Sequence, residues 1–337
     1  MRQLQDAMEE ASPDRMNDPL VSVLTPVYNG EAFLAECIES VLAQTYQNWE
    51  YVIVNNCSTD RTLEIAQAYA ARDRRIRVSC NTTFVNADEN HNNAFRLISP
   101  DSRYTKVVSA DDWLHADCVA TMVRAAMARP TVGLVGCYQR SGAEVLWNAL
   151  PRDIDFLSGR DAARMLLLHG LRIFGNPTSC LYRSDLVRRP PSFFPHTRPH
   201  ADTSVCYECM KESDFGFVHE ILCEERVHAG QQTSKLAGLF AGDLAYIEDL
   251  LNYGPAFLEP EEFDARRRTL LDDYYSRLGR SLFRRKGPRF WTYQKTRLQE
   301  IGCSLDWKPA VTAATTDAWR ELKNPMAALN KVTRGHH

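Results

Sequence analysis

The chain lacks most of the features that would name a function at a glance. No apolar run is long enough to span a bilayer; the nearest, residues 165–174, is short and broken by His169 and Arg172. No Gly-x-Gly-x-x-Gly turn follows the first apolar segment, and no Gly-Lys-Ser/Thr loop occurs. That disfavours a dinucleotide enzyme and a P-loop NTPase, so a phosphate bound here needs another counter-charge, most simply a divalent metal. Excess charge of one sign is also missing. Forty Lys and Arg against 43 Asp and Glu leave a net of −3, which gives no whole-chain argument for nucleic acid. The N-terminus has acids and no apolar core segment, so no secretory signal is expected. Without one, ten cysteines in 337 residues read as reduced cytosolic thiols rather than a disulfide framework. Cys206 and Cys209 have no second Cys or His pair at finger or ribbon spacing and read as buried thiols. No internal repeat is visible.

What is present is a strong alternation of strand and helix patterns. Residues 21–25 form a β-branched run ending at Pro26, and apolar residues from Phe33 to Leu42 recur at helical spacing. Strands follow at 51–54, 76–79, 104–108 and 132–138. A helix carries Leu63, Ala66 and Tyr69 behind the capping residues Ser58, Thr59 and Asp60, a short one lies near 93–98, and another covers 118–129. Beyond residue 150 the pattern predicts helices at 161–168 and 202–211, and strands at 177–182, 215–218 and 224–228. The alternation implies an α/β fold with a mostly parallel sheet flanked by helices. Ligands in such sheets bind outside the carboxyl ends of the strands, and the polar clusters fall there: Tyr28-Asn29, residues 55–60, residues 81–93 and Ala110-Asp111-Asp112.

Asp111 and Asp112 sit just past an apolar strand. Paired carboxylates there suit Mg2+ or Mn2+, hard cations that take oxygen ligands and share phosphate oxygens. The plainer alternative is that Asp112 caps the next helix while Asp111 is solvated.

Four segments in order make the pattern specific: VSVLTPVYN at 21–29, SVLAQTY at 40–46, WEYVIVNNCSTD at 49–60 and SADDWL at 109–114. Together they resemble a family 2 glycosyltransferase with the GT-A fold, over roughly residues 20–235. The resemblance implies transfer of a sugar from a nucleotide-sugar, a UDP-sugar foremost, to an acceptor hydroxyl, with inversion and with Mn2+ or Mg2+. It implies that Pro26, Tyr28 and Asn29 line the base and ribose. Asn55 and Asn56 stand where the family has two aspartates, Cys57 where glycine is common, and Ser109 where the first acid of an Asp-x-Asp element is common. Asp111 matches the metal-binding acid, with Ala110, Asp112 and Trp113 beside it. Residues 86–93 resemble the segment packed against ribose and diphosphate, Asn93 being the candidate contact. Asp202 matches the general base, and the acid that precedes it in the family is Ala201 here. Arg226, His228 and Ser234 match a segment that closes over the diphosphate, His228 as a further metal ligand.

Residues 1–18 read as a loose arm, 19–235 as the glycosyltransferase domain (nucleotide-sugar half to about 115, acceptor half from about 116), and 236–337 as a helical extension. Between Arg266 and Arg297, 11 basic residues face only Asp272 and Asp273, a local +9 that leaves −12 elsewhere. That stretch is either a solvated helical face or a peripheral contact with anionic lipid, which would bring a lipid-linked saccharide acceptor within reach. The expected location is cytoplasmic, free or at the inner face of a membrane. Two rivals stand beside this reading: a nucleotidyltransferase on a similar sheet, and a non-catalytic nucleotide-sugar-binding protein.

Overall fold

The computed structural model describes residues 18–195, 200–228, 236, 238–283, 286–308, 311–312 and 315. The arm expected at 1–18 lies outside them except for Asp18, and Ser234 lies outside them too. The chain divides into two compact units, residues 1–228 and 229–337.

The first unit is built on one sheet. Its leading strands are β1 (Val21–Val27), β2 (Trp49–Asn55), β3 (Ile76–Cys80) and β4 (Tyr104–Val107). They are linked by helices α1 (Leu34–Leu42), α2 (Thr62–Ala70) and α3 (Ala87–Phe95). β1 is buried along its whole length, which is why it reads as a near-continuous apolar run: parallel strands are covered on both faces. After β4 come β5 (Trp113–Leu114), α4 (Cys118–Met127), β6 (Val132–Ser141), β7 (Glu144–Leu146), β8 (Phe156–Leu157) and α5 (Gly159–His169). The unit closes with β9 (Cys180–Arg183), α6 (Ser184–Arg188), α7 (Ala201–Met210) and β10 (Asp214–Glu225). The strand order is β3-β2-β1-β4-β9-β6-β10-β5.

β3, β2, β1 and β4 are mutually parallel, and so are β6 and β10. β9 runs antiparallel between β4 and β6, and β5 antiparallel to β10, so the second half of the sheet is mixed. Two antiparallel steps through β9 leave β6 and β10 pointing the same way as β4. The carboxyl ends of β1, β2, β3, β4 and β10 therefore share one edge. β1 lies between β2 and β4, the reversal of strand order that opens a crevice in sheets of this kind.

Three local readings change. The helix expected near 93–98 is α3, which starts at the Asn86 cap, where Asn86 Oδ1 accepts from the Glu89 amide at 2.8 Å. The strand expected at 177–182 begins as a 3-10 turn, Pro177–Ser179, set by Pro177 and by Asn176 Oδ1 taking the Thr178 amide at 2.8 Å; only then does β9 start. The strands expected at 215–218 and 224–228 are one strand, β10, irregular between Val218 and Ile221 and again before Cys223. It ends at Glu225, so Arg226 and His228 lie beyond the sheet edge.

Val23, Ile38, Val41, Tyr51, Ile53, Val119, Met122 and Val135 belong to the core on which these elements pack. One carboxylate is tied into it. Glu50 of β2 accepts from Ser22 Oγ at 2.5 Å, from the Ser99 amide and hydroxyl at 2.7 Å each, and from Arg77 Nη2 at 2.7 Å. Burial pushes its pKa up, but these four donors outweigh burial and hold it below the ordinary glutamate value. A depressed folded-state pKa contributes stability above the unfolded value of about 4.3 that is lost as pH falls through the folded pKa. Glu50→Gln should therefore lower unfolding stability by about 1–3 kcal/mol at pH 7. The gap to the wild type should narrow below about pH 4. Urea titrations at the two pH values check this, and a gap independent of pH would contradict it.

The second unit is helical: α8 (Ala241–Phe257), α9 (Pro260–Phe283) and α10 (Pro288–Glu300). Its core includes Leu244, Ile247, Tyr274, Leu278, Phe290 and Leu298. Buried Gln294 joins it, accepting from the Tyr274 hydroxyl at 2.7 Å and donating to the Leu239 carbonyl at 2.6 Å. Among the described residues no helix is long and apolar enough to cross a membrane.

Candidate active site

The site begins with the turns that leave β1 and β2. Gly30 is the residue this turn requires. A Cβ there would lie 2.6 Å from Val27 Cγ2, and its amide donates to Thr62 Oγ1 at 2.8 Å. Asn29, at φ 50°, stands in the left-handed region that asparagine tolerates. Its Oδ1 accepts from the Thr59 amide at 2.8 Å, and its own amide donates to Ser58 Oγ at 3.0 Å, so the two turns are stitched together. Cys57 is also left-handed, at φ 57°, which gives a physical reason for glycine at the matching family position. Pro26 is buried within β1, opposite Val54. Tyr28 is 48% exposed, and its ring meets that of Phe84, 60% exposed, edge-on with centroids 4.8 Å apart.

Asparagines build the wall between these turns and α3. Buried Asn56 donates to the Val85 carbonyl at 2.8 Å and accepts from the Val85 amide at 3.0 Å, a bidentate grip on the backbone beside Phe84. Asn56 Oδ1 also accepts from Asn81 Nδ2 at 2.9 Å, and Asn81 accepts in turn from Asn93 Nδ2 at 2.9 Å. Asn93 Oδ1 takes Arg96 at 2.6 Å. Asn55 Oδ1 accepts from the Ser58 amide at 3.3 Å. The side chains of Asn55, Asn56 and Asn93 are thus occupied in shaping the wall. Asn92 does the same deeper down, pairing with both the amide and the carbonyl of Phe194 at 2.8 and 3.0 Å.

Beyond β4 the chain turns at Ser109, where the Asp112 amide donates to the Ser109 carbonyl at 3.0 Å. The turn separates the two acids. Asp112 is 3% exposed and accepts from the Thr178 hydroxyl at 2.7 Å. Burial pushes its pKa up to about 7; the Thr178 bond opposes this, while Asp111 and Glu225 add to it. Asp111 faces outward. Its Oδ2 lies 2.9 Å from His228 Nε2, with both side chains about 30% exposed. Arg226 Nε donates to the Asp111 carbonyl at 3.3 Å, and its guanidinium pairs with Glu36. That guanidinium lies over the rings of Trp113 and Phe33, 4.8 and 4.9 Å from their centroids, and Phe33 also lies against His228 at 4.9 Å. Ala110 lies under the Gly30 turn, its Cβ 3.6 Å from where a Gly30 Cβ would stand.

The structure therefore joins Asp111, Trp113, Arg226 and His228 in one cluster. Phe33 and Glu36 belong to it and were missed in the sequence; only their place one turn apart at the start of α1, just after the Asn29-Gly30 turn, could have flagged them. Asp202 shares no described contact with the cluster. It sits half-buried in the first turn of α7, where its Oδ1 accepts from the Thr203 amide at 2.7 Å. Its charge is felt at His91, whose ring stacks on Phe194 at 4.9 Å. Cys206 and Cys209 are buried thiols of the same helix.

A sequence model described as "Glycosyl transferase family 2" matches residues 22–189, which hold the stitched turns, the asparagine wall and the acid doublet. The chain belongs to glycosyl transferase family 2. Glycosyltransferase GlyG of Streptococcus pneumoniae serotype 4 is 31% identical over 119 residues, 35% of this chain and 39% of GlyG. The match thus spans well under half of that relative. Two solved structures share the fold. One is Staphylococcus aureus TarS 1–349 in complex with UDP-GlcNAc, at TM-score 0.62 and 16% identity, covering 84% of this chain and 80% of that one. The other is the mannosyltransferase PcManGT of Pyrobaculum calidifontis in complex with GDP-Man and Mn2+, at TM-score 0.55 and 17% identity, covering 98% and 89%. The sheet with its helices is a GT-A fold.

Proposed function

We propose that this chain transfers a sugar from a nucleotide-sugar, a UDP-sugar foremost, to a saccharide hydroxyl with inversion, in the synthesis of a surface polysaccharide or glycoconjugate. The observation that carries the proposal is the outward-facing Asp111 carboxylate meeting His228 at the sheet edge onto which the turn bearing the exposed Tyr28 ring also opens. TarS bound to UDP-GlcNAc and PcManGT bound to GDP-Man with Mn2+ support the same reading by shared fold.

A carboxylate oxygen and an imidazole nitrogen suit Mn2+ well and Mg2+ through the oxygen. Asp111 and His228 would hold such a cation; among the described residues no group of three His, Cys, Asp or Glu is placed to do so. A bound cation would supply Lewis-acid stabilisation of the departing diphosphate. The chain's residues do the rest. Tyr28 and Phe84 offer ring faces to the base. The asparagine wall with Asn55, Asn56 and Asn93 fixes the shape of the pocket, and Pro26, Asn29 and Ala110 set its floor. Trp113 keeps water from one face of the Arg226 guanidinium, whose charge sits beside the leaving group. Asp202, a half-exposed carboxylate with no cation paired to it among the described residues, takes the acceptor proton on its free oxygen.

A melting-temperature panel of UDP-, GDP- and dTDP-sugars with and without Mn2+ tests the proposal. One base should raise the melting temperature in a metal-dependent way; ligand at a hundred times Kd stabilises by about 2.7 kcal/mol. No response to any nucleotide-sugar overturns it. Pyrophosphate release from a nucleoside triphosphate and a sugar phosphate would put a nucleotidyltransferase in its place. Binding without turnover on any acceptor would leave a nucleotide-sugar-binding protein.

The membrane contact through 266–297 is the lesser part of the proposal. Within that unit Arg277 pairs with Asp243 at 2.8 Å, Arg297 with Glu248 at 2.7 Å and Arg267 with Asp264 at 3.3 Å, which compensates part of the local charge. Cosedimentation with anionic vesicles, absent with neutral ones, would support the contact, and its absence with both would remove it.

A further inference from the structure

We infer that Lys106 is a positioning residue for the acid doublet, acting through the turn at 177–180. The inference rests on the proposed donor site. Lys106 is the one charged residue of β4 and is wholly shielded from solvent. Its ammonium donates to the Thr178 carbonyl and, at 3.2 Å, to the Cys180 carbonyl. No described carboxylate forms an ion pair with it. An ammonium buried among the thiols of Cys118, Cys137, Cys180 and Cys223, with two carbonyls for its described hydrogen bonds, is costly, and an apolar side chain of the same length would fill the volume without that cost. Packing therefore does not account for the charge. The place where its two bonds land does.

The turn it grips carries Thr178, and the Thr178 side chain faces the acid doublet. Its hydroxyl donates to Asp112 Oδ2 at 2.7 Å and accepts from the Ser109 amide at 3.1 Å. Asn176 holds the Thr178 amide from the other side at 2.8 Å. The result is a closed loop of bonds. Lys106 reaches from β4 to the backbone of the turn, and the side chain of the turn returns to the chain just past the end of β4. Ser109 and Asp112 are both fixed by it, and Asp111 lies between them. With its neighbours held, Asp111 is presented outward, where its carboxylate meets His228. Thr178 and Lys106 thus do for Asp111 what outer ligand partners do at metal sites: they set the orientation of a group they do not touch.

Lys106→Met and Thr178→Val, singly and together, test the inference. The readouts are the melting temperature, Mn2+ affinity in the presence of UDP measured by electron paramagnetic resonance, and the split between kcat and donor KM. Each single variant should fold and bind Mn2+ about 10- to 100-fold more weakly in the UDP complex, the usual loss for an outer-partner substitution. The double variant should be no weaker than the worse single one, because both cut the same loop. A merely structural lysine would lower the melting temperature and leave Mn2+ affinity at the wild-type value; that result overturns the inference. Should Lys106→Met fail to fold, Thr178→Val decides alone, and wild-type Mn2+ affinity there overturns it. The wild type is read first: if it binds no Mn2+ with UDP, the donor-site reading has failed and the inference falls with it, an outcome distinct from unaffected variants of a binding wild type.

Discussion

Asp111→Ala is expected to reduce transfer by about two to three orders of magnitude, the usual loss when a group that stabilises developing charge is removed. It should also weaken UDP binding in the presence of Mn2+ by about 10- to 100-fold, while leaving metal-free UDP binding nearly unchanged. The geometry separates this from a folding defect. The Asp111 side chain is 31% exposed and, besides His228, makes no described side-chain bond, so the melting temperature should move little. His228→Ala removes the other half of the contact but leaves a carboxylate for the cation, so its loss should be the smaller of the two. Calorimetry of UDP with and without Mn2+ checks both. An Asp111→Ala protein that keeps its metal-dependent UDP affinity would place the cation elsewhere and remove the basis of the proposed site.

In the first half of the fold β1, β2 and β4 were legible because they are buried almost throughout, on both faces. Residues 21–25 and 51–54 announce themselves by β-branched and aromatic runs inside the longer β1 and β2, and the helix between them keeps its apolar spacing. α3 was harder to see. Its residues 87–93 carry asparagines and acids where apolar residues would mark a buried face, and Asn90 and Asn92 are buried because their amides bond backbone and other asparagines. Sequence periodicity counts such positions as solvent. β10 was split in two for a different reason: its irregular stretch around His219 and Glu220 breaks the alternation while the strand continues.

The site followed the same division. Asp111, Arg226 and His228 could be named from ordered motifs, and the sheet edge brings them together. The supports could not. Thr178 lies 66 residues after Asp112 and looks like any strand threonine until the 3-10 turn aims its hydroxyl back. Phe84 is exposed in a polar loop and gains meaning only through the Asn56 grip on Val85, which holds it beside Tyr28. Lys106 alone left a mark, a charge inside the apolar run 104–108. Long-range hydrogen bonds of this kind have no local spacing to read.

Asp202→Asn separates catalysis from helix capping, the other role open to a carboxylate in the first turn of α7. Asparagine serves nearly as well as aspartate near a helix start. The variant gives up only the charge–dipole contribution, about 0.3–1 kcal/mol. A capping role therefore predicts a small change in melting temperature and normal turnover. A base role predicts unchanged donor affinity and kcat lower by about 10^2 to 10^4, since the amide cannot accept the acceptor hydroxyl's proton. His91 supplies a readout that does not depend on turnover. Burial lowers its pKa, while the Ala87 carbonyl and the Asp202 charge act against that lowering. Neutralising Asp202 removes the favourable charge, so the His91 pKa should fall further, which an NMR titration of the imidazole reports. If His91 shifts as expected and turnover stays at the wild-type level, the structure around Asp202 is as described and the base lies elsewhere.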